Sequence, residues 1–194
     1  MTSTTHTPTA LYAHMDSPIG ELLLCGDELH LSALYTAPRS TDADLTRGRR
    51  RSDAAFAPVR VQLGEYFAGE RVDFDVPLSM YGAPSFFASV WRRLLAIPFG
   101  TTVSYGELAR QLGRPTAARA VGMANGRNPI AIIVPCHRVI GSGGSLTGYA
   151  GGLERKRYLL RHEAEVAQRA RSPHQPGSAR EHVLERAAAG HYLE

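Results

Sequence analysis

Lysine is nearly absent from this chain: of 22 basic residues in 194, all but Lys156 are arginine. Cysteine is almost as scarce. Cys25 and Cys136 are the only two, which excludes a multi-bridge disulfide framework, and neither lies in the CxxC spacing of zinc or redox sites. A lone reactive thiol stays open. No apolar run approaches the roughly 18–20 residues of a membrane span, and the opening MTSTTHTPTA lacks the basic end and apolar stretch of a secretory leader. These absences lead to the expectation of a soluble cytoplasmic protein.

What is present is ordinary globular composition, 43% hydrophobic and 21% charged with 19 Gly and 12 Pro, enough for one domain or two small ones. The formal charge is +4 and the sequence pI about 9.3, a lean toward anionic partners that many functions share. The charge is unevenly placed. Residues 1–81 carry 7 Lys/Arg against 11 Asp/Glu, residues 82–163 carry 11 against 3, and residues 164–194 carry 4 of each. An acidic front and a strongly basic middle suggest two units, the second facing a polyanion.

In the front unit, ELLLCGD and LHLSALY read as an antiparallel hairpin turning around Asp27-Glu28. Pro38 to Asp53 reads as an exposed loop, and its RGRRR run as a solvated face. Val59, Leu63, Tyr66 and Phe67 place a helix with one buried face over Pro58 to Phe67, and VDFDVPL alternates like a strand. SMYGAPS marks the boundary. Beyond it, Ser85 is the expected cap of a helix FFASVWRRLLAI that Pro98 and Gly100 terminate. Ser104 with Glu107 is a capping-box pattern starting a helix that ends at Gly113, and Thr116 is the expected cap of a second helix running to Asn125 or Gly126. Two short helices across a tight turn make a helix-turn-helix candidate, a weak signal that the local positive charge strengthens. Ile130 to Val134 is continuously apolar and hence buried. GSGGSLTGYAGG is too glycine-rich for a packed element and reads as a loop or wing. A last helix runs from Leu153 to His162 with Tyr158, Leu159 and Leu160 buried. The tail beyond Glu163 reads as an appended arm, with a helix expected in its final dozen residues.

The apolar run delivers Pro135-Cys136-His137-Arg138. A thiolate, not a thiol, is the nucleophile, so a reactive cysteine needs a base or a positive field nearby. His137, Arg138 and the helical carboxylate Glu163 are candidates. Neighbours in an extended strand face opposite ways, so a Cys136–His137 partnership requires a turn or a bridging water. Such a relay would let Glu163 fix the imidazole tautomer while His137 draws the thiol proton. Spacing alone favours the blander reading, a small buried cysteine beside a structural histidine.

NPIAIIVPCHRVIG, with SYGELA before it and GYAGGLERKRYLLRHE after it, resembles the O6-alkylguanine-DNA alkyltransferases, the methylated-DNA–protein-cysteine methyltransferases. The resemblance is continuous from about Ala83 to Glu163 and weaker over SPIG and ELLLCGDELHLSALY. It implies an α+β fold: a small N-terminal antiparallel-sheet (RNase H-like) domain over 1–81, a mostly helical, winged helix-turn-helix-like domain over 82–163, and an extension without assigned role over 164–194. It implies Cys136 as alkyl acceptor, His137 as its base through a water, and Glu163 orienting His137. Asn128 would brace the turn, Tyr105 would meet the flipped base and crowd the phosphate, and Lys156 would help protonate the departing guanine. Val139, Tyr149 and Ala150 would line the base pocket. Arg119 would be the finger that fills the gap left by the flipped nucleotide, on a helix whose Ala117, Ala118, Ala120 and Gly122 allow close approach to the minor groove, with Ser142 a further DNA contact. The implied partner is duplex DNA containing O6-alkylguanine, bound by a monomer, with cooperative binding along DNA left open. No cofactor, metal or membrane enters.

Met123 departs from the family pattern, which favours a small residue there, and Ala150 replaces a serine found in some members. The metal-binding cysteines of the fused transcriptional regulators are missing. Cys25 reads as core. Two alternatives compete: a lesion-binding module, which Cys136 argues against, and a cysteine hydrolase, which lacks an evident oxyanion device and would not need the Arg119 helix.

Overall fold

The structure, a computed structural model, describes residues 9–36, 42–80 and 82–171. Its front sheet begins with a strand that the sequence pattern did not reveal, β1 (Leu11–Met15), followed by β2 (Leu22–Gly26) and β3 (Leu31–Tyr35). β1 and β2 pair antiparallel, as do β2 and β3. The expected hairpin turns where Asp27 accepts the backbone N–H groups of Leu29 and His30, both at 2.8 Å, an Asx-type turn.

The segment expected to be loop carries a short helix, α1 (Asp42–Thr46), and a two-residue strand, β4 (Arg50–Arg51). β4 runs parallel to β1, so the sheet order is β3-β2-β1-β4 and the sheet is not wholly antiparallel. The arginines of β4 are exposed on the sheet edge, where charge blocks pairing with other chains. α2 (Ala57–Ala68) buries Val59, Leu63 and Tyr66 as its spacing predicts. VDFDVPL is not a strand. Gln62 takes both backbone groups of Asp75 at 2.8 Å, Pro77 has no N–H to give, and one bridge from Leu78 to Leu31 remains.

α3 (Ser85–Leu95) starts one residue earlier than expected: Pro84 is its N-cap and Ser85 lies inside the helix without capping it. Ser104 does cap α4 (Tyr105–Gln111), its hydroxyl accepting the Glu107 N–H at 3.0 Å. Glu107 does not complete the box; its carboxylate turns to Arg110 and Gln111. Thr116 is not a cap either, since Ala117 holds the N-cap place of α5 (Ala118–Gly126) without a side-chain bond. α5 is fixed to α3 through the Trp91 indole, which donates to the Ala124 carbonyl at 2.9 Å. Two short strands, β5 (Val103–Ser104) and β6 (Val139–Ile140), pair parallel and tie the helix pair to the segment after Cys136. α6 (Leu153–Arg171) runs past Glu163 for two further turns, so the first residues of the expected arm belong to a packed helix. The expected helix in the final dozen residues lies outside the described ones.

One apolar cluster joins both halves, from Leu11, Leu24 and Tyr66 in front to Leu108, Val121, Val134 and Leu159 behind. The edge strand β3 extends this connection: Leu34 exchanges backbone hydrogen bonds with Pro129 and Ala131, at 2.8 and 3.0 Å. Cys25 sits in a separate small cluster with Leu23 and Ala33, in keeping with a core role. Among the described residues, no helix is long and apolar enough to cross a membrane.

Gly100 ends the loop after α3 with φ at 69°, and a Cβ there would lie 2.8 Å from the Ala167 Cβ and 3.2 Å from the Glu163 carbonyl oxygen. Left-handed backbone and crowding add, so Gly100→Ala should destabilise the fold by about 1–3 kcal/mol. Chemical denaturation at neutral pH measures this, and an unchanged midpoint would contradict the crowding argument.

Candidate active site

Cys136, His137 and Arg138 form one turn of 3-10 helix and are all buried. The turn that the sequence required for a Cys136–His137 partnership is therefore present. It is entered through a tight loop in which Ile132, fully buried, has φ at 70°, a strained conformation for a β-branched residue. Asn128 secures that loop. Its amide donates to the carbonyls of Val134 at 2.7 Å and Ile130 at 3.4 Å and accepts the Ile130 N–H at 3.0 Å. Asn125, buried at the end of α5, donates to the Cys136 carbonyl at 3.2 Å.

His137 Nε2 lies 2.8 Å from Glu163 Oε1. An ionised carboxylate accepts only, so Nε2 carries the proton and the neutral ring keeps its lone pair on Nδ1. That Nδ1 is buried and meets no protein hydrogen-bond partner among the described residues. Glu163 has further donors. Arg138 forks onto both oxygens at 2.9 Å, the Tyr66 hydroxyl donates to Oε1 at 3.0 Å, and the Gly100 N–H donates to Oε2 at 3.0 Å. Burial alone would raise the Glu163 carboxyl, but the His137 and Arg138 contacts outweigh it and hold the group well below its ordinary value. Burial lowers His137, with Glu163 opposing, and so favours the neutral base. Burial raises the Cys136 thiol, and the Asn128 amide and Lys156 ammonium pull against it.

Lys156 is fully buried, its ammonium donating to the carbonyls of Val139 at 2.7 Å and Thr147 at 2.9 Å and lying 6.0 Å from the Tyr105 ring centre. Burial lowers it. The Tyr105 hydroxyl donates to the same Thr147 carbonyl at 3.3 Å. Tyr149 and Ala150 line a cavity with Cys136, Asn125, Asn128, Thr36 and Gly148. Its volume is about 30 Å³, room for one water. Val139 is buried immediately beyond the turn.

The expected DNA-facing residues other than Ser142 lie on α5 and its N-cap. Arg119 is exposed, with no hydrogen bond or ion pair among the described residues, while Ala117, Ala118, Ala120 and Gly122 are half-buried. Gly122 lies against the Tyr105 ring, where a Cβ would sit 3.7 Å away. Met123 is 53% exposed on the same helix, one turn from Arg119. Ser142 is exposed in the glycine-rich loop.

Residues 85–165 match the DNA-binding domain of the 6-O-methylguanine DNA methyltransferases and residues 10–80 match their ribonuclease-like domain. A methylated-DNA–protein-cysteine methyltransferase of Mycolicibacterium paratuberculosis is 53% identical over 149 residues, covering 77% of this chain and 89% of the relative. The chain belongs to the methylated-DNA–protein-cysteine methyltransferase family. Two solved structures from Mycobacterium tuberculosis are similar. An O6-methylguanine methyltransferase superposes with a TM-score of 0.77 at 48% identity, covering 86% of this chain and 97% of its own. An OGT in complex with DNA superposes with 0.74 at 50% identity, covering 80% and 94%.

For this methyltransferase, sequence reasoning singled out the Cys136–His137 turn and Glu163 but overlooked Tyr66, Gly100 and Asn125, and treated Arg138 only as a positive field. Arg138 carried a usable signal, a cation following the Cys-His pair with a helical glutamate downstream. The others did not, because Tyr66 and Gly100 reach Glu163 from 97 and 63 residues away.

Glu163→Gln leaves Arg138 buried without its counter-charge and should cost about 3–5 kcal/mol of stability near neutral pH. Because the Glu163 carboxyl is depressed on folding, its stabilisation is complete above the ordinary value of 4.5 and fades as pH falls below it. Denaturation midpoints measured from about pH 7 to pH 3 should fall less steeply for Glu163→Gln than for the wild type over the acid range. Parallel curves would remove Glu163 from the acid response.

Proposed function

We propose that the chain reverses alkylation damage in DNA, moving the alkyl group of O6-alkylguanine, and of O4-alkylthymine, to Cys136 once and irreversibly, after the damaged nucleotide has left the stack. The observation that carries this reading is the buried turn holding Cys136 beside a histidine whose tautomer Glu163 dictates. The thiol proton passes through a water to His137 Nδ1, and the developing imidazolium is matched by the Glu163 carboxylate. Cys136 sulfur attacks the alkyl carbon. The carbon–sulfur bond forms as the carbon–oxygen bond breaks, and the electron pair goes to the guanine. Tyr105 and Lys156 supply the hydrogen bond or proton that makes guanine a better leaving group, a task eased by the burial that lowers Lys156. The thioether does not hydrolyse under mild conditions, so each molecule acts once.

An alkylated base inside a duplex is out of reach of a protein sulfur, and rotating it out costs a few kcal/mol. Arg119, exposed and without partners among the described residues, takes the vacated space. Small residues around it let α5 approach the minor groove, where contacts carry little sequence information and suit a search for lesions anywhere. Exposed Arg92 and Arg93 on α3, Arg110 on α4, Arg114 before α5 and Arg127 at its end supply positive charge for phosphates in this reading. The cavity of about 30 Å³ is far too small for a purine. Entry of the base requires the lining of this cavity, in which Tyr149, Ala150 and Gly151 take part, to give way.

Mixing the protein with excess duplex containing O6-methylguanine should add about 14 Da, one CH₂, to the Cys136 peptide, with one methyl per protein. Turnover beyond one equivalent, or an unmodified Cys136, would overturn the reading. Arg119→Ala should slow repair in duplex, by about tenfold or more, while leaving reaction with free O6-benzylguanine comparatively intact. Equal loss on both substrates would assign Arg119 to the fold.

A further inference from the structure

We infer that Tyr66, supplied by the front unit, is a positioning residue for this site: its hydroxyl governs how strongly the Glu163 carboxylate holds and charges His137. The inference rests on the proposed role of His137 as base. Tyr66 is fully buried at the end of α2 and touches α6 at two points. Its carbonyl accepts from His162 Nε2 at 2.7 Å and its hydroxyl donates to Glu163 Oε1 at 3.0 Å. The ring is held edge-on by Phe67, Phe99 and His162, so the hydroxyl has little choice of direction.

Oε1 is the oxygen that also receives His137 Nε2 and one arm of Arg138. A neutral donor on that oxygen draws off part of its negative charge without adding a positive field at the imidazole. The groups facing His137 are Glu163 and Lys156 from α6, Arg138 and Cys136 from its own turn, and Tyr66 behind Glu163 from α2. Arg138 and Lys156 disfavour the imidazolium and Glu163 favours it. Tyr66 tempers the one favourable contribution. Without its hydroxyl, Oε1 concentrates more charge toward Nε2–H, and His137 holds a proton to higher pH. A base already protonated cannot take the Cys136 proton, so the tyrosine keeps the imidazole in its accepting form near neutrality.

Tyr66→Phe keeps the ring and removes the donor. The readout is the NMR titration of the His137 imidazole, assigned by its loss in His137→Gln, alongside the pH dependence of alkyl transfer from free O6-benzylguanine. Tyr66→Phe should raise the His137 midpoint by about half a pH unit to one unit, with the acid limb of the transfer rate moving upward equally. A 3-fluorotyrosine placed at position 66, a stronger donor in the same fold, should move both downward. His162→Gln, which cuts only the backbone clamp, should lower the melting temperature and leave the His137 titration in place. If Tyr66→Phe and the fluorinated residue both titrate like the wild type, Tyr66 is packing alone and the inference falls. If the His137 midpoint moves as stated while no protein accepts an alkyl group, the inference stands and the proposed function falls.

Discussion

A buried carboxylate is costly unless its surroundings replace the water it lost, and Glu163 meets that condition with five protein donors. Both of its oxygens take an arm of Arg138, one adds His137 and Tyr66, and the other adds the Gly100 N–H. These donors come from α2, from the loop after α3 and from the turn bearing Cys136, and they meet on a carboxylate carried by α6. Their common dependence on one ionised group explains why distant segments pack as they do. Removing the charge would leave Arg138 buried and unpaired, and removing any one donor changes what the others hold. The histidine beside the thiol gets its tautomer from this arrangement, so the fold and the chemistry of the turn rest on the same contact.

The turn itself shows how strain is distributed. Ile132 is held in a left-handed conformation by Asn128 on one side and by the backbone of β3 on the other, through the Leu34 bonds to Pro129 and Ala131. The front sheet thus supports the loop that presents Cys136. Together with Tyr66, this makes the acidic front half part of the apparatus of the basic half, although it carries none of the exposed arginines around α5.

Local patterns were legible where local chemistry decides the outcome. Ser104 caps α4 through its own hydroxyl, Asp27 turns the hairpin, and the spacing of Val59, Leu63 and Tyr66 predicts α2. They misled where a distant group took over. VDFDVPL alternates like a strand, yet Gln62 occupies the backbone groups a ladder would need. Ser85 and Thr116 are good caps by type, but Pro84 and Ala117 occupy the cap positions. The site followed the same division. PCHRV and the helical Glu163 could be found in the sequence, whereas the Tyr66 and Gly100 contacts depend on tertiary packing that no local spacing encodes.

The small cavity at Cys136 has a consequence for the molecule between its synthesis and its encounter with DNA. On the proposed reading, in which the protein acts once, its useful lifetime is set by how fast its thiol is lost to peroxide, disulfide exchange or stray electrophiles. Those reactions need a thiolate and access to it. Cys136 is 5% exposed, its thiol is pushed upward by burial, and the space beside it admits little more than water. In a space this small the sulfur is shielded from bulky electrophiles, and any larger reagent reaches it only where the lining of Tyr149, Ala150 and Gly151 gives way.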